Sequence, residues 1–278
     1  MILSILKNAG IGSITYYVGN EPTHISHLSN CTLICKEEFI GLDNVEQIIV
    51  DDPQWFFYKL SQNEKDVYTF SDKYVDGYPI RVGKNCQIHP SVIIGDGVTI
   101  GDNVFIGPNT VIYTKTEIGD GTIIDANCTI GSGGMMWIWK DDTKFFLKQL
   151  GGVKIGKNCM IGSNSSIVRG SANELTILED NVNMAPGCCI GHGTYIGKET
   201  HLANNVATGG SSYIAGYCFI GSSAVISAGI KIEIPDIIIG AGCVVTKSIS
   251  ETGVYVGVPA RRVKSIDGKL NGMPMWRN

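Results

Sequence analysis

The side chains with the clearest capacity for chemistry are five histidines, nine cysteines and a scatter of carboxylates. His192 stands apart by context. It lies in Ile190-Gly-His-Gly193, at a turn position directly after an Ile-Gly start. An unperturbed imidazole titrates near pH ~6.5, so a histidine there can take up and return a proton around neutrality. On context alone a solvated corner histidine is the other reading, and both stand. His89 and His201 occupy the same periodic stretch and His24 and His27 precede it; surface or packing roles suit all four. No metal is expected. His192 and His201 lie nine residues apart, not as a close pair, and Cys31-Thr-Leu-Ile-Cys35 and Cys188-Cys189 match no zinc spacing. An odd number of cysteines without a pairing pattern reads as free thiols in a reducing, cytoplasmic setting.

The elements that must hold His192 are written in a period of six. Aliphatic residues recur at Val82, Ile88, Ile94, Ile100, Ile106, Ile112, Ile118, Ile124 and Ile130, and resume at Ile155, Ile161 and Ile167. They return at Leu178, Met184, Ile190, Ile196 and Leu202, pass through Thr208, and continue to Ile232, Ile239 and Val245. A helical period of about 3.6 drifts out of phase with this pattern within a few turns. After each aliphatic residue come Gly, Asp, Asn and Lys, which suit tight turns. The fifth position is small or β-branched, and six cysteines fall there: Cys86, Cys128, Cys159, Cys188, Cys218 and Cys243. A buried small hydrophobe fits that place without redox chemistry. Three such hexads close one triangular coil, and stacked coils make a parallel β-helix. The 35 glycines and the 44% apolar content agree with turns and a continuous core.

The period has two interruptions. The first, 133–152, is rich in Met, Trp and Phe and must pack on the solenoid, a neighbouring subunit or a ligand. The second, Arg169 to Thr176, reads as a bulged corner. Residues 1–79 lack the sixfold period and read as a small α/β domain. Its strands are Ser13–Val18, Thr32–Cys35 and Gln47–Val50, and its helix begins at Pro53 with Asp52 as N-cap. Tyr68 to Pro79 links this domain to the solenoid of 80–250, and 251–278 form a tail. Met1–Lys7 has no small-residue cleavage site and reads as the start of the fold. No apolar run reaches transmembrane length, so stable membrane insertion is not expected. A net charge of −4 gives no general attraction for nucleic acid.

At this point a family resemblance can be stated. A small α/β domain followed by a hexapeptide solenoid resembles the UDP-3-O-acylglucosamine N-acyltransferases of lipid A synthesis. The carrying residues are Ile5–Tyr17, Ile48–Asp52, Gln149-Leu-Gly-Gly-Val153 with Ile155-Gly, Arg169-Gly-Ser171 and Ile190-Gly-His-Gly193. Pro186-Gly-Cys-Cys-Ile-Gly-His192, Ile226-Ser-Ala-Gly-Ile-Lys231 and Gly257-Val-Pro-Ala-Arg261 are instead similar to CoA-dependent nucleotide-sugar N-acetyltransferases. The resemblance implies a mainly β fold, a left-handed β-helix, and a homotrimer with sites at subunit boundaries. It implies acyl transfer from acyl-CoA, acetyl-CoA foremost, to the amine of a nucleotide-linked amino sugar for bacterial surface glycans, with no bound cofactor. His192 falls where the family carries its catalytic base.

Acyl transfer from a thioester to an amine needs a base, a donor for the oxyanion and close positioning. Glu174, Glu179 and Asp180 are candidates to orient the imidazole. Backbone at Gly210, Ala228 and Gly229 is expected to line the pantetheine arm, and Lys247, Arg261 and Arg262 to meet CoA phosphates. Tyr16 or Tyr17 is expected to stack on the nucleotide base, with Asn20 bonding to it. From Tyr16, the positions three and six residues on are Gly19 and Pro22, where the lipid A enzymes carry Asn and Tyr. Gly229 falls where they carry a second functional histidine. The alternatives are the lipid A enzyme itself, using acyl-carrier protein, and a non-catalytic β-helix for scaffolding or glycan binding.

Overall fold

The computed structural model describes residues 2–64 and 79–266. The linker stretch 68–78 and the end of the tail, 267–278, lie outside the described residues. The chain divides into two units. The first comprises Met1–Val67, Gly133–Gly151 and Gly170–Glu174, and the second Tyr68–Ser132, Gly152–Arg169 and Leu175–Asn278.

The second unit is the solenoid. Its short strands form three parallel faces of eight, ten and eight strands, the ten-stranded face closing with one antiparallel pair. The first face carries Arg81–Val82, Thr99–Ile100 and their successors to Lys231–Ile232. The second runs from Gln87–Ile88 to Arg261–Lys264, and the third from Ile93–Ile94 to Val244–Val245. Successive coils are in strict register: Ile94 pairs with Ile112, which pairs with Ile130. The periodic aliphatic residues therefore stack along the axis, where Ile106, Ile112, Ile124 and Ile130 are wholly buried. The ladder also explains the turn composition. Asn103 and Asn127 take the left-handed conformation, at φ 59° and 58°, which Asn tolerates better than most residues. Gly197 answers a different need, because a Cβ there would lie 2.3 Å from the Gly216 nitrogen of the next coil.

The fifth-position residues point inward as well. Hydroxyls at this position bond the coil that follows: Thr110, Thr122, Ser165 and Thr200 accept the backbone N–H of Cys128, Cys159, Cys188 and Cys218. The thiols of Cys128, Cys159 and Cys188 donate to carbonyls of Gly162, Glu179 and Ala203 at 3.2–3.3 Å. Burial pushes the Cys159 thiol up to about 11 and that of Cys218 to about 12.

In the first unit, β1 (Ile2–Leu3), β2 (Ser13–Tyr16), β3 (Thr32–Cys35) and β4 (Glu46–Ile49) form a parallel sheet in chain order. The helix α1 (Pro53–Gln62) follows, with Asp52 accepting the Trp55 N–H as expected of an N-cap. The insertion is an antiparallel hairpin of Met136–Lys140 and Thr143–Leu147. Its inward side packs on α1: Phe145 meets Trp55 at 4.8 Å and Tyr58 at 5.6 Å, and Lys140 pairs with Asp52 at 3.0 Å. Its other side leaves Trp137, Trp139 and Phe146 exposed, with the Lys144 ammonium 4.3 Å from the Trp137 ring centre. No helix among the described residues is long and apolar enough to cross a membrane.

All nine cysteines are free, and Cys189 is the exposed one. Alkylation of the native protein at pH ~8, followed by peptide mass analysis, is expected to modify Cys189 before Cys159 and Cys218. The latter two react only on unfolding; labelling of Cys218 in native protein at the rate of Cys189 contradicts the inward placement of the fifth position.

Candidate active site

Strand register brings the sequence-predicted residues into a column. On the third face Ile167, Ile190, Thr208, Ile226 and Val245 pair in series. Two residues beyond each, at the same corner of five consecutive coils, come Arg169, His192, Gly210, Ala228 and Lys247. Main-chain bonds tie this corner together: Ser211 N–H donates to His192 O at 2.6 Å, and Gly229 N–H to Gly210 O at 2.9 Å. His192 is half-buried, while Ala228, Gly229 and Lys247 are exposed. The imidazole lies directly on Gly210. A Cβ on that residue would stand 2.2 Å from Nε2 and 2.5 Å from Cδ2 of His192. The Gly210 N–H makes no backbone hydrogen bond among the described residues. An imidazole and an uncommitted amide are thus neighbours on one corner, which is the minimum that acyl transfer asks of a site.

Arg169 shares this corner position and is fully buried. Its Nε donates to Gly131 O at 2.7 Å, and one terminal nitrogen to Thr114 O. These carbonyls belong to the coils on the N-terminal side, where the chain breaks for its insertion. The sequence predicts a polar bulge at Arg169; the side chain is instead fully buried, and its guanidinium satisfies main-chain oxygens.

The other expected residues are placed differently. Arg261 and Arg262 lie on Arg261–Lys264, paired with Gly253–Val256 at the end of the second face, away from the His192 column. Arg261 bonds to Ala260 O; Arg262 bonds to Thr252 O and faces Glu251 at 3.9 Å. Glu179 and Asp180 follow Leu178 at the corner after the first face. Asp180 accepts the Lys157 N–H there, and burial together with Glu179 raises the Tyr195 phenol. Glu174 belongs to the first unit, where Lys7 pairs with it at 2.7 Å and Ser171 N–H donates to it. His201 stacks on Phe219 on the second face, and burial lowers its pKa. His89 bonds to Ser91, His24 to the Tyr17 hydroxyl and His27 to Leu6 O. Among the described residues no group of three or more His, Cys, Asp or Glu is placed to hold a metal ion.

In the first unit, Tyr16 ends β2 and Tyr17 follows it, and the two pack in different clusters. Tyr17 is corrected from a base-stacking candidate to a core residue: it packs on Phe39 and its hydroxyl bonds to Glu21 O and His24. Asn20 is exposed. Tyr16 lines a cavity of about 50 Å³ with Gln54, Phe57, Lys148, Ser171 and Ser4. Its ring lies 5.0 Å from Phe57, and burial raises its phenol above the ordinary value against a hydrogen bond from Gln54. Gln54 and Lys148 were missed in sequence because their stretches carry no motif; only folding sets α1 and the hairpin around Tyr16.

Comparison with known proteins agrees with the solenoid. The family model described as bacterial transferase hexapeptide (six repeats) matches residues 79–114 and 97–132. The hexapeptide repeat of succinyl-transferase matches 152–172 and 218–247. The UDP-3-O-acylglucosamine N-acyltransferase of Janthinobacterium sp. (strain Marseille) is 35% identical over 141 residues, 51% of this chain and 40% of that protein. The enzyme of that name from Delftia acidovorans is 33% identical over 129 residues, 46% of this chain and 38% of that one. The chain therefore matches about two fifths of the length of these curated relatives. Among solved structures, a UDP-N-acetylglucosamine acyltransferase from Campylobacter jejuni shares the fold with TM-score 0.59 and 22% identity, over 66% of this chain and 69% of that one. The chain carries hexapeptide repeats and has the left-handed β-helix fold expected from them. Within that class it resembles the UDP-3-O-acylglucosamine N-acyltransferases.

Replacing Arg169 by Leu keeps apolar bulk at the site but strips the partner from the Gly131 and Thr114 carbonyls, a loss of about 2–4 kcal/mol. Urea unfolding is the measurement; an unchanged midpoint shows that the guanidinium does not support the coils.

Proposed function

We propose that the protein is an N-acyltransferase acting on the amino group of a nucleotide-linked amino sugar, with acyl-CoA, acetyl-CoA foremost, as donor. The observation that carries the reading is the His192 imidazole seated on Gly210 at a corner of a hexapeptide solenoid. The curated relatives' name supports the reaction type and the nucleotide-sugar acceptor. In this reading the amine attacks the thioester carbonyl while His192 takes its proton. The Gly210 N–H donates to the oxygen as it becomes an oxyanion. Collapse of the intermediate breaks the carbon–sulfur bond, and the imidazolium returns the proton to the leaving thiolate. Ala228 and Gly229, exposed further along the same corner, offer main-chain surface to the pantetheine arm, and Lys247 offers a cation to its phosphates. Tyr16 and its cavity are the remaining candidate for contact with the acceptor.

A second reading keeps the reaction and changes the donor. The relatives' full name favours UDP-3-O-acylglucosamine as acceptor, for which acyl-carrier protein is the donor to test. Either acceptor is an activated sugar of the cytoplasm, where the proposal places the protein. The proposal also includes a homotrimer, supported by Phe105, Ile123 and Met160, which stack in register on the second face and are 39%, 39% and 51% exposed. A neighbouring subunit on that stripe would remove apolar surface from water.

Thiol release with acetyl-CoA and longer acyl-CoAs, over a panel of UDP- and dTDP-linked amino sugars, tests the donor and acceptor together. Turnover is expected with at least one pair; activity only with acyl-carrier protein selects the second reading, and none with either donor sinks both. His192→Ala is expected to lower kcat about 10²–10⁴-fold with little change in KM. Full activity of that variant removes the base assignment. Light scattering is expected to give three times the 29.9 kDa chain mass, and Met160→Glu a smaller species.

A further inference from the structure

Two departures from the repeat converge on the turn that carries His192. The first is Thr208. Of all the periodic axial positions from Val82 to Val245 it alone is polar. It lies one coil beyond Ile190, and its Oγ1 accepts the Gly191 N–H at 3.1 Å and lies 3.3 Å from the Thr194 hydroxyl. The second is Thr176. By the rule that Thr110, Thr122, Ser165 and Thr200 follow, its hydroxyl belongs on the fifth-position N–H of the next coil, that of Thr194. It instead accepts the N–H of Gly193, one residue earlier, at 2.9 Å, while donating to Val168 O. The His192–Gly193 peptide and the Ile190–Gly191 peptide that leads into the turn are therefore held by inward hydroxyls, one from the coil before and one from the coil after.

Main-chain satisfaction does not explain Thr208. The Gly191 N–H already reaches the Thr208 carbonyl at 3.1 Å, and the Thr194 hydroxyl already donates to Gly209 O at 3.2 Å. Removing the Thr208 hydroxyl leaves neither group unpaired, and an aliphatic side chain at that place continues the buried stack. A second acceptor on the same N–H does narrow the orientation of the Ile190–Gly191 peptide plane, from which the chain enters the turn at His192. The same coil supplies Gly210, whose missing side chain makes room for the ring.

We propose that Thr208 and Thr176 are positioning residues that aim the His192 imidazole, with Gly210 as the seat on which it rests. The proposal rests on the reading of His192 as the base, and takes the coil after the base to be specialised for aim at the expense of apolar packing.

The test compares Thr208→Val, Thr208→Ser and Thr176→Val, with Thr200→Val as a control whose hydroxyl bonds away from the His192 corner. Thr208→Val is expected to melt no lower than the unsubstituted protein yet lose about tenfold or more in kcat at unchanged KM. Thr208→Ser restores the rate, and Thr176→Val lowers it in the same way. Thr200→Val loses stability and keeps its kcat. In parallel, the rate of diethyl pyrocarbonate modification at His192, read by peptide mass, rises several-fold in Thr208→Val and Thr176→Val and not in the control. Unchanged kcat and unchanged His192 modification in both variants overturn the proposal. If the unsubstituted protein transfers no acyl group, the function proposed above fails, and the modification rates alone decide whether the two threonines hold the ring.

Discussion

The structure depends on one constraint: each coil of the solenoid finds its main-chain partners in the coils above and below it. Gly95 N–H donates to Ile112 O, Gly101 to Ile118 O and Gly209 to Ile226 O, each bond running to the same place in the repeat one coil on. A short strand of two residues cannot hold itself, so the ladder is stable only if register is kept everywhere. Register in turn stacks like positions into columns. Aliphatic residues become an axis, fifth-position cysteines and threonines become inward bonds to the next coil, and turn residues become three outward corners.

That columnar order is what a site on this fold has to work with. A corner residue has as neighbours the corner residues of adjacent coils, so His192 meets Gly210, and Gly210 meets Gly229, without any contact local in sequence. The same order absorbs the insertion. The third-face ladder passes from Thr129–Ser132 to Ser166–Val168, and Arg169 supplies bonds to carbonyls where the chain has left and returned. A buried guanidinium is a costly filler, and it is tolerated because its bonds go to main-chain oxygens.

The period of six, the aliphatic axis and the inward cysteines were readable because a parallel coil repeats its environment, so one rule governs every sixth residue. The helix at Pro53 and its Asp52 cap were readable for a local reason: the capping bond spans three residues. His192 was readable as a candidate because a Gly-His-Gly turn within an unbroken run is conspicuous. The hairpin was visible only as an interruption. Its aromatic content announced burial, but the partner, α1, lies some eighty residues earlier, and no spacing rule links Phe145 to Trp55. Tyr16 and Tyr17 were indistinguishable as candidates until folding packed them in different clusters, one in the core and the other beside the cavity.

By itself, then, the sequence determined the class of fold, the phase of the repeat and the turn on which a base could sit. These follow from periodicity, which is a property of the chain. Tertiary structure alone decided what surrounds that turn. Arg169 and His192 occupy the same corner position, yet one side chain is fully buried on main-chain carbonyls and the other is half-buried on Gly210. The difference arises from atoms in neighbouring coils, where the Gly131 and Thr114 carbonyls hold the guanidinium and the absence of a Cβ at Gly210 leaves a shelf for the ring. Thr208 is marked in the chain as the polar member of the axial series, and Thr176 is ordinary there. Their significance comes from register, which places them against the N–H groups of Gly191 and Gly193, the residues on either side of His192.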